Sequence, residues 1–391
     1  MLNNLEQQPA DALLALIKLH DADPRADKID LGVGVYKTAD GATPVFASIK
    51  AAEAKLVAEQ ATKAYLGPEG DMGFVNALIP HVFGAAGNYG GRIDGMQTPG
   101  GTGGVRLAAA LAKRAGVKRV FMGTPSWPNH AQILADLGLE LVTFSHAASD
   151  GTADLGALRD VLAGAGEGDA VLLHGCCHNP TGIDYTPAQW DEIAVLINST
   201  GVLPLLDLAY QGLGDGMDED AYGVRRVLAE VPEALIAYSC DKNFGLYRDR
   251  VGALYAMGRT AEDTTRIMSN GAALARANWS MPPDHGAAAV RLILEDAALT
   301  ADWLAELASM RGRIGEVRAK LAASSNVGGI NLAPFGEQKG MFAMLPLDKE
   351  QIASLRADHG VYMAGSGRIN VAGLTLGNID AFITKLAAVG G

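Results

Sequence analysis

From Gln97 onward, short apolar runs of strand length alternate with amphipathic stretches of helix length, a pattern that a chain satisfies by building a mostly parallel sheet covered with helices. The runs are Arg119–Met122, Leu139–Phe144, Ala170–His174, Val202–Leu206, Leu235–Tyr238 and Val251–Tyr255. Between them, Gly104–Ala115, His130–Leu137, Pro187–Ser199 and Tyr222–Glu230 carry helical spacing. The expected fold class is therefore α/β, with a large domain built on a mostly parallel, doubly wound sheet. A helix is expected over Ala10–His20 from Leu13, Leu14, Ile17 and Leu19, and a long polar one over Asp302–Ala323, before a C-terminal α/β segment containing Arg368. With 391 residues the chain exceeds a usual single domain. The large domain is placed at 43–308, and a smaller α/β domain is formed by both termini, 1–42 and 309–391.

In open α/β sheets ligands bind beyond the carboxyl ends of the strands, and the residues with chemistry stand there. Trp127, Asn179, Asp207 with Tyr210, and Ser239 with Lys242 each follow an expected strand. Asp207 ends an apolar run, where an unpaired carboxylate is costly. It reads either as the cap of a following helix or as the counter-ion of a protonated heterocyclic nitrogen. Lys242 reads as a surface lysine or, because Ser239 and Arg250 flank it, as part of a phosphate site suited to bidentate arginine contacts. Thr98–Gly104, with Gly101 and Thr102, reads as a glycine turn feeding the helix Val105–Ala115, a place for an anion. It is neither the G-x-G-x-x-G dinucleotide fingerprint nor a P-loop.

The net charge of −12 argues against nucleic acid and anionic membranes as partners, so an anionic ligand needs individually placed cations. Three cysteines, with Cys176 and Cys177 adjacent, make no disulfide framework and fit a reducing, cytoplasmic location. No leader pattern or membrane-length apolar run is expected. Cys176–Cys177–His178 lacks a second ligand pair at zinc-finger spacing, so no metal is expected and the run is assigned to packing beneath Asn179. The acidic run Asp215–Asp220 is expected to be a solvated loop.

Several stretches together resemble the class I aspartate and aromatic amino-acid aminotransferases. They are Gly32–Lys37, Ala64–Gly67, Pro125–His130, His174–Gly182, Asp207–Gly212, Lys242–Tyr247 and Ser366–Gly373. The resemblance runs in family order across most of the chain and implies the fold-type-I architecture of pyridoxal-phosphate enzymes. It implies a homodimer with shared active sites that takes amino acids and 2-oxo acids in a ping-pong cycle. Aspartate is the favoured donor to 2-oxoglutarate, with tyrosine and phenylalanine as the alternative main donors. By that resemblance Lys242 carries pyridoxal phosphate as a Schiff base and moves the substrate proton, Asp207 faces the pyridine nitrogen, and Tyr210 and Asn179 bond the phenolic oxygen. Trp127 stacks on the ring. Gly101, Thr102, Ser239 and Arg250 hold the phosphate, with Tyr65 reaching it from the second subunit. Arg368 takes the α-carboxylate with Asn179, Trp127 and Gly34, while Arg276 takes the distal carboxylate across the interface. His130 stands behind Asp207. Asp241, where the family usually has Ser, is expected to face away from Lys242 because adjacent side chains diverge. Trp279 stands where Tyr is frequent. A cofactor-sensing regulator would need a DNA-binding module and basic charge, and a nucleotide oxidoreductase would need the missing fingerprint.

Overall fold

The computed structural model describes residues 1–7 and 12–390. It separates into two compact units, one of Pro44–Gly312 with Gln338–Gly340, the other of Met1–Thr43, Arg313–Glu337 and Met341–Gly391. The terminal unit opens with α1 (Ala12–Ala22) and β1 (Ile29–Asp30). Ala10 and Asp11, the expected start of that helix, lie outside the described residues.

The central unit contains α2 (Ala47–Glu59), α3 (Met72–Phe83), β2 (Ile93–Pro99), α4 (Gly100–Arg114), β3 (Arg119–Thr124), α5 (Pro128–Asp136) and β4 (Glu140–Ser145). It continues through α6 (Leu155–Leu162), β5 (Asp169–His174), α7 (Pro187–Thr200), β6 (Leu203–Leu208), α8 (Tyr222–Glu230), β7 (Ala234–Ser239) and β8 (Val251–Met257). Helices α9 (Ala261–Asn278), α10 (His285–Glu295) and the first part of α11 (Ala297–Ala323) complete it. The strands form one seven-stranded sheet in the order β2-β8-β7-β6-β5-β3-β4. Every neighbouring pair is parallel except the two made by β8. This is the expected α/β architecture, and β2 is a strand that the apolar pattern did not disclose.

Burial follows the apolar runs. Val120, Val171, Leu206, Ile236 and Leu254 are at most 1% exposed, and burying such aliphatic side chains is worth roughly 1.5–3 kcal/mol each. Helix α7 shows how local signals set the ends: Thr186 and Gln189 form a reciprocal capping box, Pro187 opens the helix, and Gly201 at φ +72° closes it. Helix α4 departs from expectation, because the glycine-rich segment is its first turn and not a preceding loop. The reason is close approach. A Cβ on Gly104 would stand 3.1 Å from both Ala237 Cβ and Ala253 O, so the helix lies on the sheet backbone through its glycines.

The terminal unit adds β9 (Asn326–Val327), β10 (Ile330–Asn331), β11 (Phe342–Met344), α12 (Lys349–Ala357), β12 (Val361–Tyr362), β13 (Arg368–Asn370) and α13 (Ile379–Ala387). It has its own apolar core, including Leu31, Val317, Leu332, Ile369 and Phe382. Among the described residues no helix is long and apolar enough to cross a membrane.

Candidate active site

Strands β2, β3, β5, β6 and β7 run the same way, so the loops after them share one edge of the sheet. One pocket on that edge is lined by Gly101, Thr102, Trp127, His174, Asn179, Asp207, Ala209, Tyr210 and Lys242. Seven of these are residues singled out in the sequence; His174 and Ala209 are additions. Asn179 Nδ2 donates to the Tyr210 hydroxyl at 3.3 Å, while Asn179 Oδ1 is buried with no partner among the described residues. Lys242 Nζ stands 5.2 Å from the centre of the Tyr210 ring. Burial lowers the Lys242 pKa, against the opposing charges of Asp241 and Asp207.

Asp207 is the penultimate residue of β6, beside His174 of β5, and caps no helix. Its Oδ2 accepts from His130 Nε2 at 2.9 Å. Burial pushes its carboxyl up, but the His130 hydrogen bond leads the contributions that bring it below the ordinary value. Behind it runs a directed chain. The Asn179 backbone N–H can only donate, so His174 Nδ1 accepts it at 3.5 Å. His174 Nε2–H then donates to Ser126 Oγ at 3.0 Å, Ser126 donates to His130 Nδ1 at 3.0 Å, and His130 Nε2–H faces Asp207. In this arrangement His130 Nε2 is the ring nitrogen that faces the carboxylate.

The histidines continue beyond the pocket. The ring of His178, which bonds Thr181 Oγ1 at 2.8 Å, stacks on His146 with 3.5 Å between centroids and 7° between planes. Desolvation lowers His146 to about 4 and His174 to about 3, and depresses His178 as well. The folded protein holds these rings neutral while the unfolded chain protonates them near pH 6.5. Stability should therefore fall as the pH drops below about 6.5, by roughly 1.4 kcal/mol per pH unit per histidine until each folded-state pKa is reached. His146→Phe keeps a flat ring but cannot take a proton, so its urea midpoint should change less between pH 7 and pH 5 than that of the wild type. Parallel losses in both proteins would exclude His146 as a source of acid lability.

Ser239 and Arg250 adjoin the start of α4: a Cβ on Gly101 would come within 2.8 Å of Ser239 Cβ, and one on Gly100 within 2.6 Å of Arg250 Nη2. Gly100 also has φ +68°, a region that favours glycine. Asp241 is buried and bound to Arg250, and its charge still acts on Lys242. Of the remaining residues, Tyr65 is 94% exposed and Arg276 is exposed on the last turn of α9; neither lines the pocket. Arg276 Nη1 donates to Ser280 Oγ at 2.5 Å. Trp279 packs against the helix–sheet core with Nε1 buried and without an acceptor among the described residues. Gly34 and Arg368 belong to the terminal unit. Arg368 donates to Gly32 O at 3.0 Å and lies over the Phe342 ring, and a Cβ on Gly34 would be 2.9 Å from Phe342.

Two features of the sequence read differently in three dimensions. Cys176, Cys177 and Asp220 are the one metal-like group among the described residues, but the carboxylate oxygens of Asp220 already accept N–H groups from Gly212, Gly214 and Asp215. The acidic run is accordingly not wholly solvated. Asp220 is 6% exposed and organises the loop through those three bonds, while Asp215, Asp218 and Glu219 face solvent.

Residues 26–386 match the family described as aminotransferase class I and II. The chain is 48% identical over 375 residues to a tyrosine aminotransferase of Rhizobium meliloti, covering 96% of each protein. It is 44% identical to an aspartate aminotransferase of Escherichia coli over the full length of both. Its fold superimposes on the crystal structure of an aromatic-amino-acid aminotransferase from Burkholderia pseudomallei covalently bound to pyridoxal phosphate, with TM-score 0.96, 32% identity and complete coverage of both chains.

Proposed function

The chain belongs to the class I and II aminotransferases, and we propose that within them it moves the amino group of aspartate to 2-oxoglutarate, with aromatic amino acids as the alternative donors. Pyridoxal phosphate is the cofactor of this fold-type-I enzyme, and the residues present fit it. Asn179 Oδ1 is a buried acceptor without a partner among the described residues, and buried polar groups are as a rule satisfied, here by a bound group. The glycines that open α4 leave backbone N–H groups approachable where side chains would collide with Ser239 and Arg250. The observation that carries the reading is the convergence of Lys242, Asp207, Asn179, Tyr210 and Trp127 on one pocket.

When bound, pyridoxal phosphate supplies an electron sink that lets a substrate α-carbon release its proton and the amino group change carriers. Lys242 is the covalent anchor and then, as a desolvated amine with lowered pKa, the base that takes the proton from Cα. Asp207 holds positive charge at the pyridine nitrogen, and Tyr210 with Asn179 binds the phenolic oxygen. Trp127 covers the ring, while Gly101, Thr102, Ser239 and Arg250 take the phosphate. Arg368 is assigned the α-carboxylate, and its guanidinium is steered by Gly32 O and Phe342. Tyr65 and Arg276, both exposed, are assigned to the active site of a second copy. The proposed working form is a cytoplasmic homodimer.

Aspartate is favoured because a chain of net charge −12 needs a dedicated cation for each carboxylate, and Arg276 is the one for the distal group. Removing one partner of a buried charge pair costs about 2–5 kcal/mol, or roughly thirty- to several-thousand-fold. Arg276→Ala should lower kcat/KM for aspartate within that range and change phenylalanine far less, once the KM for 2-oxoglutarate has been redetermined. Equal losses for both donors would make Arg276 structural. The same variant mixed with Lys242→Ala should regain aspartate turnover through heterodimers holding one intact site, and no recovery despite proven subunit exchange would count against shared sites.

A further inference from the structure

The turn after β7 sets a carboxylate against Arg250 in the proposed anion cradle. Asp241 is 2% exposed. Its Oδ2 accepts from Arg250 Nη1 at 2.5 Å, its Oδ1 accepts from the Val251 N–H at 3.2 Å, and its own N–H donates to Ser239 Oγ at 3.2 Å. The same carboxylate reaches the first residue of α4: a Cβ on Gly100 would lie 2.9 Å from Asp241 Oδ2. Arg250 also takes φ +56°, a left-handed conformation that costs a non-glycine residue free energy unless its surroundings hold it. Two bonds accepted by Asp241, one from the Arg250 guanidinium and one from the following N–H, hold it, together with the bond from the guanidinium to Tyr247 O at 3.1 Å. They also set a full negative charge against the Arg250 cation and the positive end of the α4 dipole.

We propose that Asp241 is a built-in counter-anion of the phosphate cradle, which holds Arg250 in place when no phosphate is bound and weakens the grip of the cradle on phosphate when it is. The inference rests on the placement of the cofactor phosphate at Arg250 proposed above. Its two halves predict effects of opposite sign, and simple packing would not produce that pair. Without an anion, deleting the charge leaves a partly buried guanidinium uncompensated and a strained residue unheld, so the apoprotein loses stability. With an anion, the same deletion releases positive charge to the phosphate, so affinity rises.

Asp241→Asn keeps the shape and the acceptor for the Val251 N–H while removing the charge. Thermal unfolding of the apoproteins, together with calorimetric titration by inorganic phosphate, pyridoxal and pyridoxal phosphate, reads both halves. The apo variant should melt below apo wild type. It should bind inorganic phosphate about tenfold more tightly, and its preference for pyridoxal phosphate over pyridoxal should grow by a similar factor, as expected for one nearby charge screened by partial exposure. Arg250→Ala should lose most of that preference. If it keeps the preference, the phosphate is not at Arg250 and the inference falls with that placement. If Arg250→Ala loses it but Asp241→Asn gains none, Asp241 only positions Arg250 and the counter-anion role is overturned. Should apo Asp241→Asn not survive removal of the cofactor, release of pyridoxal phosphate from loaded Asp241→Asn and Asp241→Ser proteins decides the matter. Release about tenfold slower than from wild type supports the proposal, and equal or faster release overturns it.

Discussion

Lys242→Ala should fold, yet show no borohydride-reducible bond to pyridoxal phosphate and a turnover of aspartate lower by at least about 10⁴-fold, roughly 5 kcal/mol of barrier. The loss is large because one amine is assigned two jobs, covalent anchorage and proton transfer at the substrate α-carbon. Its surroundings suit both. The amine lies in the pocket lined by Asp207, Tyr210 and Asn179, and desolvation lowers its pKa, which favours the neutral, proton-accepting form. The carboxylate of Asp207, which lines the same pocket, is committed to His130. Mass spectrometry of the reduced wild-type adduct locates the anchor independently of rate. Lys37 and Lys339 are the instructive controls, because each is tied to a carboxylate, Asp30 and Asp215 respectively. An adduct on either would overturn the assignment to Lys242 whatever the kinetics.

The residues at the strand ends were legible because strands covered by helices on both faces are apolar along their length, so polar chemistry begins visibly where each run stops. Asp207 after Leu205 and Leu206 is the clearest case, and the structure sets it in register with His174 and Ala237. Strand β2 was illegible for the converse reason. Its residues Asp94, Gly95, Gln97 and Thr98 carry no apolar run, and its place comes from antiparallel pairing with β8 and from the Gln97 amide, which bonds Asp71 N–H and Pro283 O. Glycine propensity weighs against a helix beginning at Gly100, but a Cβ on Gly100, Gly101 or Gly104 would crowd Arg250, Ser239 or Ala237 respectively, and packing prevailed. Asp220 looked solvated among its acidic neighbours because the three N–H groups that bury it come from a loop conformation with no local signature. The His146–His178 stack likewise joins residues from the turns after separate strands, and the Asp241–Arg250 pair ties together the two ends of the β7–β8 loop.

Asp207→Asn gives the sharper test of the electron-sink assignment, because it separates charge from hydrogen bonding. Its amide oxygen can still accept from His130 Nε2–H, so the chain through Ser126 and His174 is preserved. What it loses is the negative charge assigned to hold a proton on the pyridine nitrogen of the cofactor. That charge matters most as negative charge develops on the substrate α-carbon, so the loss should fall on the chemical step and not on cofactor attachment. Removing a single preorganised electrostatic group of this kind costs on the order of 10²–10³-fold in kcat. Asp207→Ala should cost more, several orders of magnitude, since it also leaves the buried His130 N–H without an acceptor. Both variants should keep the borohydride-reducible bond to Lys242, which distinguishes them from Lys242→Ala in the same assay. Single-turnover measurement with aspartate isolates the chemical step from product release. If Asp207→Asn retained turnover within about tenfold of wild type, roughly 1.4 kcal/mol, while Asp207→Ala lost several orders, the carboxylate would serve only to orient His130. The charge stabilising the reacting carbon would then have to be sought elsewhere in the pocket.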